Sequence, residues 1–181
     1  MLDLPTRPRI LVADDDDDVR GVIVESLIHI DKDVIITEAS NGQEALDMVR
    51  IHNPHVVILD LIMPFLDGYT ALDELRATHL KNWIPVMVLT GYGDRHLEAD
   101  VYRFGADAYL EKPVLPMKLK ANVHALLRQK ARYDDLAQKV ELNQGRLDRL
   151  LRTLDNEIGT ERVGKILLNA GVARTSGQTC G

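Results

Sequence analysis

The chain has 181 residues, with 22 Lys plus Arg against 28 Asp plus Glu, a formal net charge of -6 and 45% hydrophobic residues. That balance supports a packed core and excludes wholesale disorder. No uncharged apolar run approaches the ~20 residues that span a bilayer, and Met1 to Pro8 lacks the apolar segment of a secretion signal, so the expected compartment is the cytoplasm.

Five short apolar runs follow in chain order: Ile10 to Ala13, Val34 to Ile36, Val56 to Leu59, Val86 to Leu89 and Ala108 to Leu110. Each is too short for a helix and the first four are rich in β-branched residues, which predicts five buried strands. Between them the apolar spacing is helical: Val19, Val22, Ile23, Leu27 and Ile30; Ala45, Leu46 and Val49; Tyr69, Leu72 and Leu75; Leu97, Val101 and Phe104. Turn chemistry at Asn41-Gly42, Asn53-Pro54, Asp67-Gly68 and Gly105 separates the elements. Continuously apolar strands must be covered on both faces, so the expected fold is a doubly wound α/β domain with a parallel sheet and right-handed crossovers.

After Pro113 and Pro116 a fifth helix is expected to continue past a compact domain. Leu119, Val123, Leu126, Lys130, Tyr133, Ala137, Val140, Gln144, Leu147, Leu151, Leu154 and Ile158 alternate spacings of four and three, a coiled-coil seam. Lys130 and Gln144 are polar seam positions, and Gly145 is a candidate break. Leu136, Asn143 and Leu150 widen the stripe, so a two-stranded coil, a helical hairpin and a four-helix dimer all satisfy the pattern. Residues 173–181 read as a polar tail carrying the single cysteine, Cys180, which excludes an internal disulfide and a cysteine-rich metal site. Residues 1–116 hold 10 basic and 21 acidic residues, whereas 117–181 hold 12 and 7, two regions with different tasks.

The residues able to do chemistry stand at the ends of the apolar runs: Asp14 and Asp15 after the first, Asp60 after the third, Thr90 after the fourth and Lys112 after the fifth. In an open parallel sheet, ligands bind outside the carboxyl ends of the strands where the winding reverses, so these residues are expected in one crevice. The acidic run from Asp14 has a second component: Asp17 and Asp18 suit the N-terminal dipole of a helix. Asp16 fits either role.

Four motifs resemble the bacterial response-regulator receiver domain over residues 9 to about 128. They are Ile-Leu-Val-Ala-Asp-Asp at 10–15, Leu-Asp-Leu-Ile-Met-Pro at 59–64 followed by Asp67-Gly68, Pro-Val-Met-Val-Leu-Thr-Gly at 85–91, and Gly-Ala-Asp-Ala-Tyr-Leu-Glu-Lys-Pro at 105–113. The resemblance implies a flavodoxin-like sheet of order 2-1-3-4-5 and a phosphoacceptor at Asp60, fed by a sensor histidine kinase or a phosphotransfer protein. It implies Mg²⁺ held by Asp14, Asp15, Asp60 and the backbone carbonyl of Ile62, with oxygen ligands suiting that ion. Lys112 and Thr90 would contact the phosphoryl oxygens, with Thr90 and Tyr109 as the switch pair, and Lys112-Pro113 as a cis bond. The output surface would be the fourth helix, fifth strand and fifth helix.

The division expected is an arm over 1–8, a receiver over 9–128, a helical or coiled-coil extension over 129–159 that forms a homodimer, and a short helix and tail over 160–181. Ile62 and Tyr92, two residues after Asp60 and Thr90, are bulky and have no carboxylate or amide to orient attacking water, so slow loss of the phosphoryl group is expected. A DNA-binding role for the basic tail, with Thr160 to Thr175 as a rudimentary helix-turn-helix, is the alternative output. Leu154 to Thr160 is similar to a histidine-kinase phosphoacceptor helix, with Asn156 where histidine would stand. A phosphoaspartate phosphatase would need a second Asp at position 62, and a nucleotide enzyme a glycine-rich phosphate loop; neither is present. The six histidines have no ligand spacing and are read as structural.

Overall fold

A computed structural model describes residues 5, 7–29, 33–77, 83–91 and 102–158, with side chains to Thr153. The elements are β1 (Arg9–Ala13), α1 (Asp17–Ile28), β2 (Ile35–Ala39), α2 (Gly42–His52), β3 (Val56–Asp60), α3 (Gly68–Ala77), β4 (Val86–Thr90), β5 (Ala108–Glu111) and a C-terminal helix (Pro116–Ile158). The chain divides into two compact units, Met1–Asp134 and Asp135–Gly181.

All five strands are parallel, in the order β2-β1-β3-β4-β5. This is the doubly wound, flavodoxin-like arrangement expected from the motifs. The central strands β3 and β4 are buried at every residue because helices cover both faces. On one face Ile23 and Leu27 of α1 pack with Leu119, Val123 and Leu126 of the C-terminal helix; on the other Leu46, Val49, Leu72 and Leu75 come from α2 and α3. Burying each such side chain contributes ~1.5 to 3 kcal/mol.

Three sequence expectations change. β2 is not a buried strand: it is an edge, with Ile35 and Glu38 exposed and only Ala39 fully covered. The start of the supposed coiled-coil seam is core of the α/β domain, since Leu119, Val123 and Leu126 are buried against the sheet. Lys130 is also buried, paired with Asp134 at 2.5 Å and lying 5.7 Å from the centre of the Tyr133 ring, which packs on Trp83. Gly145 does not break the helix, which is continuous to Ile158. The helix expected around Leu97 and Val101 lies outside the described residues, as do Tyr92, residues 159–181 and nearly all of 1–6.

Helix starts follow the local chemistry. Asp16 caps α1, accepting the amides of Asp18 and Val19, which settles its role as a cap. Asn41 accepts the Glu44 amide while the Glu44 carboxylate returns to the Ser40 amide, a reciprocal capping arrangement. Asp67 accepts the Thr70 amide at 2.7 Å at the start of α3. Gly68 is required by close approach: a Cβ there would lie 1.9 Å from the Asp60 carbonyl oxygen. A Cβ on Gly42 would lie 2.5 Å from the Leu66 carbonyl oxygen, whose hydrogen bond with the Gly42 amide ties the β3–α3 loop to α2.

Candidate functional site

The ends of β1, β3, β4 and β5 bring the predicted side chains to one rim of the sheet. Register sets this directly: Ala13 is opposite Leu59, Asp60 opposite Leu89, and Thr90 opposite Glu111. One carboxylate oxygen from each of Asp14, Asp15 and Asp60 lies within 4.8 Å of the others. Asp14 is fully buried, Asp60 nearly so, and Asp15 is exposed.

Lys112 joins the cluster from the far side. Its ammonium donates to Asp60 Oδ2 at 2.7 Å and lies 2.8 Å from Asp14 Oδ2. The second contact is an ion pair only, because Asp14 Oδ2 receives no hydrogen bond of acceptable geometry. Asp14 Oδ1 accepts the Asp16 amide, and Asp60 Oδ1 the Ile62 amide at 3.3 Å. Burial pushes the Asp14 carboxyl above its ordinary value, with Lys112 and the Asp16 amide opposing. Burial lowers Lys112, but its contacts to Asp14 and Asp60 outweigh this and its pKa is raised.

Three carboxylates and one ammonium leave two formal negative charges, with a buried carboxylate oxygen lacking a hydrogen bond. An oxygen-only, doubly negative pocket fits a hard divalent cation such as Mg²⁺ and gives soft metals no sulfur or imidazole.

The remaining predicted residues fall around this centre. Thr90 is buried at the end of β4, and its carbonyl accepts the Lys112 amide at 2.8 Å. Tyr109, half-buried on β5, packs with the α2–α3 side of the core and edge-on against Tyr102 at 5.9 Å. Ile62 stands at the rim, 74% exposed. Lys112-Pro113 is cis. Sequence reasoning missed Arg20, whose guanidinium donates to the Asp14 carbonyl at 2.8 Å and to Glu38 at 3.1 Å while also contacting Asp17. Arg20 thereby holds the backbone of the acidic run to β2. Its one signal was position, four residues beyond the cap of α1.

Comparison with known proteins agrees with this geometry. Residues 10–124 match the family model described as response regulator receiver domain. The protein named "Probable transcriptional regulator ycf27" from Guillardia theta is 37% identical over 127 residues, covering 70% of this chain and 48% of that one. The response regulator Rre1 of Synechocystis is 34% identical over 151 residues, covering 83% of this chain and 64% of that one. Among solved structures, the receiver domain of Francisella response regulator 1452 superposes with a TM-score of 0.60 at 30% identity, covering 67% of this chain and 98% of that one. The chain spans about half the length of the first curated relatives it matches. Among the described residues no helix is long and apolar enough to cross a membrane.

Proposed function

The chain belongs to the response-regulator receiver family, and from that premise we propose that it is a cytoplasmic switch whose Asp60 accepts a phosphoryl group from a histidine kinase or phosphotransfer protein. The observation that carries this reading is the meeting of Asp14, Asp15, Asp60 and Lys112 at one sheet edge. An Asp60 carboxylate oxygen attacks phosphorus, the P–N bond to the donor histidine breaks, and the imidazole leaves, creating an acyl phosphate.

Lys112 neutralises Asp60 in the resting site and transfers its ammonium to a phosphoryl oxygen in the product. Thr90 donates its hydroxyl to another phosphoryl oxygen, and Tyr109 responds to that movement on the neighbouring strand. Asp14, Asp15, Asp60 and the Ile62 carbonyl would hold Mg²⁺, which when bound offsets charge on the phosphoryl oxygens. Arg20 is a positioning residue, acting on Asp14 through its carbonyl. Ile62 supplies no carboxylate for a hydrolytic enzyme, so the adduct persists long enough to signal.

The domain division 9–128, 129–159 and 160–181 belongs to the same proposal, with self-association through the C-terminal helix as the output. A second reading, transcription control through the basic C-terminal region, is favoured by the name of the ycf27 relatives. Incubation with Mg²⁺ and a small phosphodonor, followed by intact mass measurement, tests the central reading. The parent gains one phosphate and Asp60→Asn does not; equal labelling of both contradicts it.

A further inference from the structure

The Gly-Ala-Asp segment before β5 ends in a carboxylate that takes no part in the acidic pocket. Asp107 Oδ2 accepts the Val86 amide at 2.8 Å, while the Asp107 amide donates to the Val86 carbonyl at 2.9 Å. The side chain thus adds a rung at the start of the β4–β5 ladder. Arg76, in the last turn of α3, grips the same place with three nitrogens. Its Nε donates to the Gly105 carbonyl at 2.7 Å, Nη1 to the Ile84 carbonyl at 2.9 Å and Nη2 to Asp107 Oδ2 at 2.8 Å. Gly105 has φ of 92°, and a Cβ there would lie 3.1 Å from Arg76 Cγ, so glycine lets the arginine stem pass. Burial pushes the Asp107 carboxyl above its ordinary value, with the Val86 amide and Arg76 opposing.

β5 needs such a fixed point. It is four residues long and lies at the sheet edge, so β4 is its one strand neighbour. Burial of Ala108 and Leu110 selects which face points inward, but a two-residue slip would keep that pattern. The grip on Gly105 and Asp107 would not survive a slip, because each residue of register is worth ~3.3 Å along the strand. At the far end of the same ladder the Thr90 carbonyl accepts the Lys112 amide, and from there the Lys112 ammonium reaches Asp60 and Asp14.

We propose that Arg76 and Asp107 are positioning residues for phosphoryl transfer: by locking β5 onto β4 they set where the Lys112 ammonium stands between Asp14 and Asp60. This rests on the phosphorylation of Asp60 proposed above and adds two residues that touch neither phosphate nor cation. Lys112 competes with a divalent cation for the two carboxylates, so displacing it acts oppositely on the two ligands. The pocket becomes more negative and binds Mg²⁺ more tightly, whereas the phosphoryl oxygens lose their ammonium. General damage to the fold weakens both.

The test uses the full chain as parent, Arg76→Met, Lys112→Ala and the combination of the two. Calorimetry reads Mg²⁺ affinity, and intact mass reads the rate of adduct formation with acetyl phosphate. Arg76→Met is expected to tighten Mg²⁺ binding about threefold and to slow the adduct roughly tenfold. In the Lys112→Ala background the same substitution is expected to change neither, because the group it acts through is gone. An equal change in both backgrounds, in either direction, overturns the proposal, as does an Arg76→Met protein with parental affinity and rate.

Arg76→Met leaves a partly buried carboxylate without its counter-ion, so Arg76→Met with Asp107→Asn is the second variant. Its amide oxygen still accepts from Val86 while the hold on Gly105 and Ile84 is lost, and the same opposed shifts are expected. Weaker Mg²⁺ binding together with a slower adduct in this variant reduces the pair to a structural contact. A parent that binds Mg²⁺ but takes no phosphate overturns the switch reading and leaves the calorimetric comparison to decide the positioning role; a parent that binds no Mg²⁺ overturns both.

Discussion

At the scale of single residues, the two ends of the sheet show opposite electrostatic solutions. At the carboxyl end, Lys112 compensates two buried acids. At the amino end, His55 is kept neutral: its Nδ1 accepts the Arg9 amide at 2.9 Å, which demands a bare nitrogen. Burial, then the charges of Arg9 and Lys130, lowers its pKa to about 4, with Asp134 opposing. A folded pKa below the unfolded value means that this stability is complete above pH ~6.5 and is lost as pH falls through about 4. Unfolding free energy in denaturant is therefore expected to drop by on the order of 2 kcal/mol more across that window in the parent than in His55→Asn. Equal slopes would show that His55 does not report folding. Phe65 is a separate case, 96% exposed with φ of 64°, where a bulky side chain carries strain and almost no burial. Phe65→Gly is expected to raise stability by about 1 kcal/mol in the same assay; a loss would mean that the ring has a stabilising role.

At the scale of elements, the β3–α3 connection aims the strand that ends in Asp60. Gly68 packs directly on the backbone of Asp60 and Leu61, and its amide donates to the Leu61 carbonyl at 2.9 Å. Neither neighbour can yield as a flexible side chain would. Gly68→Ala is expected to cost on the order of 3 kcal/mol and to weaken Mg²⁺ binding, read by denaturant unfolding and by metal titration. A variant with parental stability and metal affinity would show that the loop does not set the site. The site was legible because apolar runs end at Asp14, Asp60, Thr90 and Lys112, and in a parallel sheet those ends share one rim. Periodicity was less informative about what covers a stripe. Leu119 through Lys130 shared one spacing with the positions beyond Asp135, yet the first set is receiver core. Composition likewise made β2 look interior, because an edge strand and a central strand can have the same β-branched residues. Arg20 left only its position as a signal for another reason: a guanidinium on a backbone carbonyl leaves no side-chain pattern in sequence.

For the whole molecule, topology explains why distant residues work together. β1 and β3 are neighbours in the sheet while β2 lies outside β1, so the chain reverses its winding between the strands that carry Asp14 and Asp60. The acid pair and Lys112 are held there by a core that spans both faces. The site thus depends on the entire sheet. The most direct measurement of the central claim is to localise the phosphoryl group chemically. After incubation with a small phosphodonor, borohydride converts an aspartyl phosphate to homoserine, and peptide mapping finds the residue. The account predicts conversion at Asp60 alone and only with a divalent cation present; conversion at another residue, or undiminished conversion in the presence of a chelator, would contradict it.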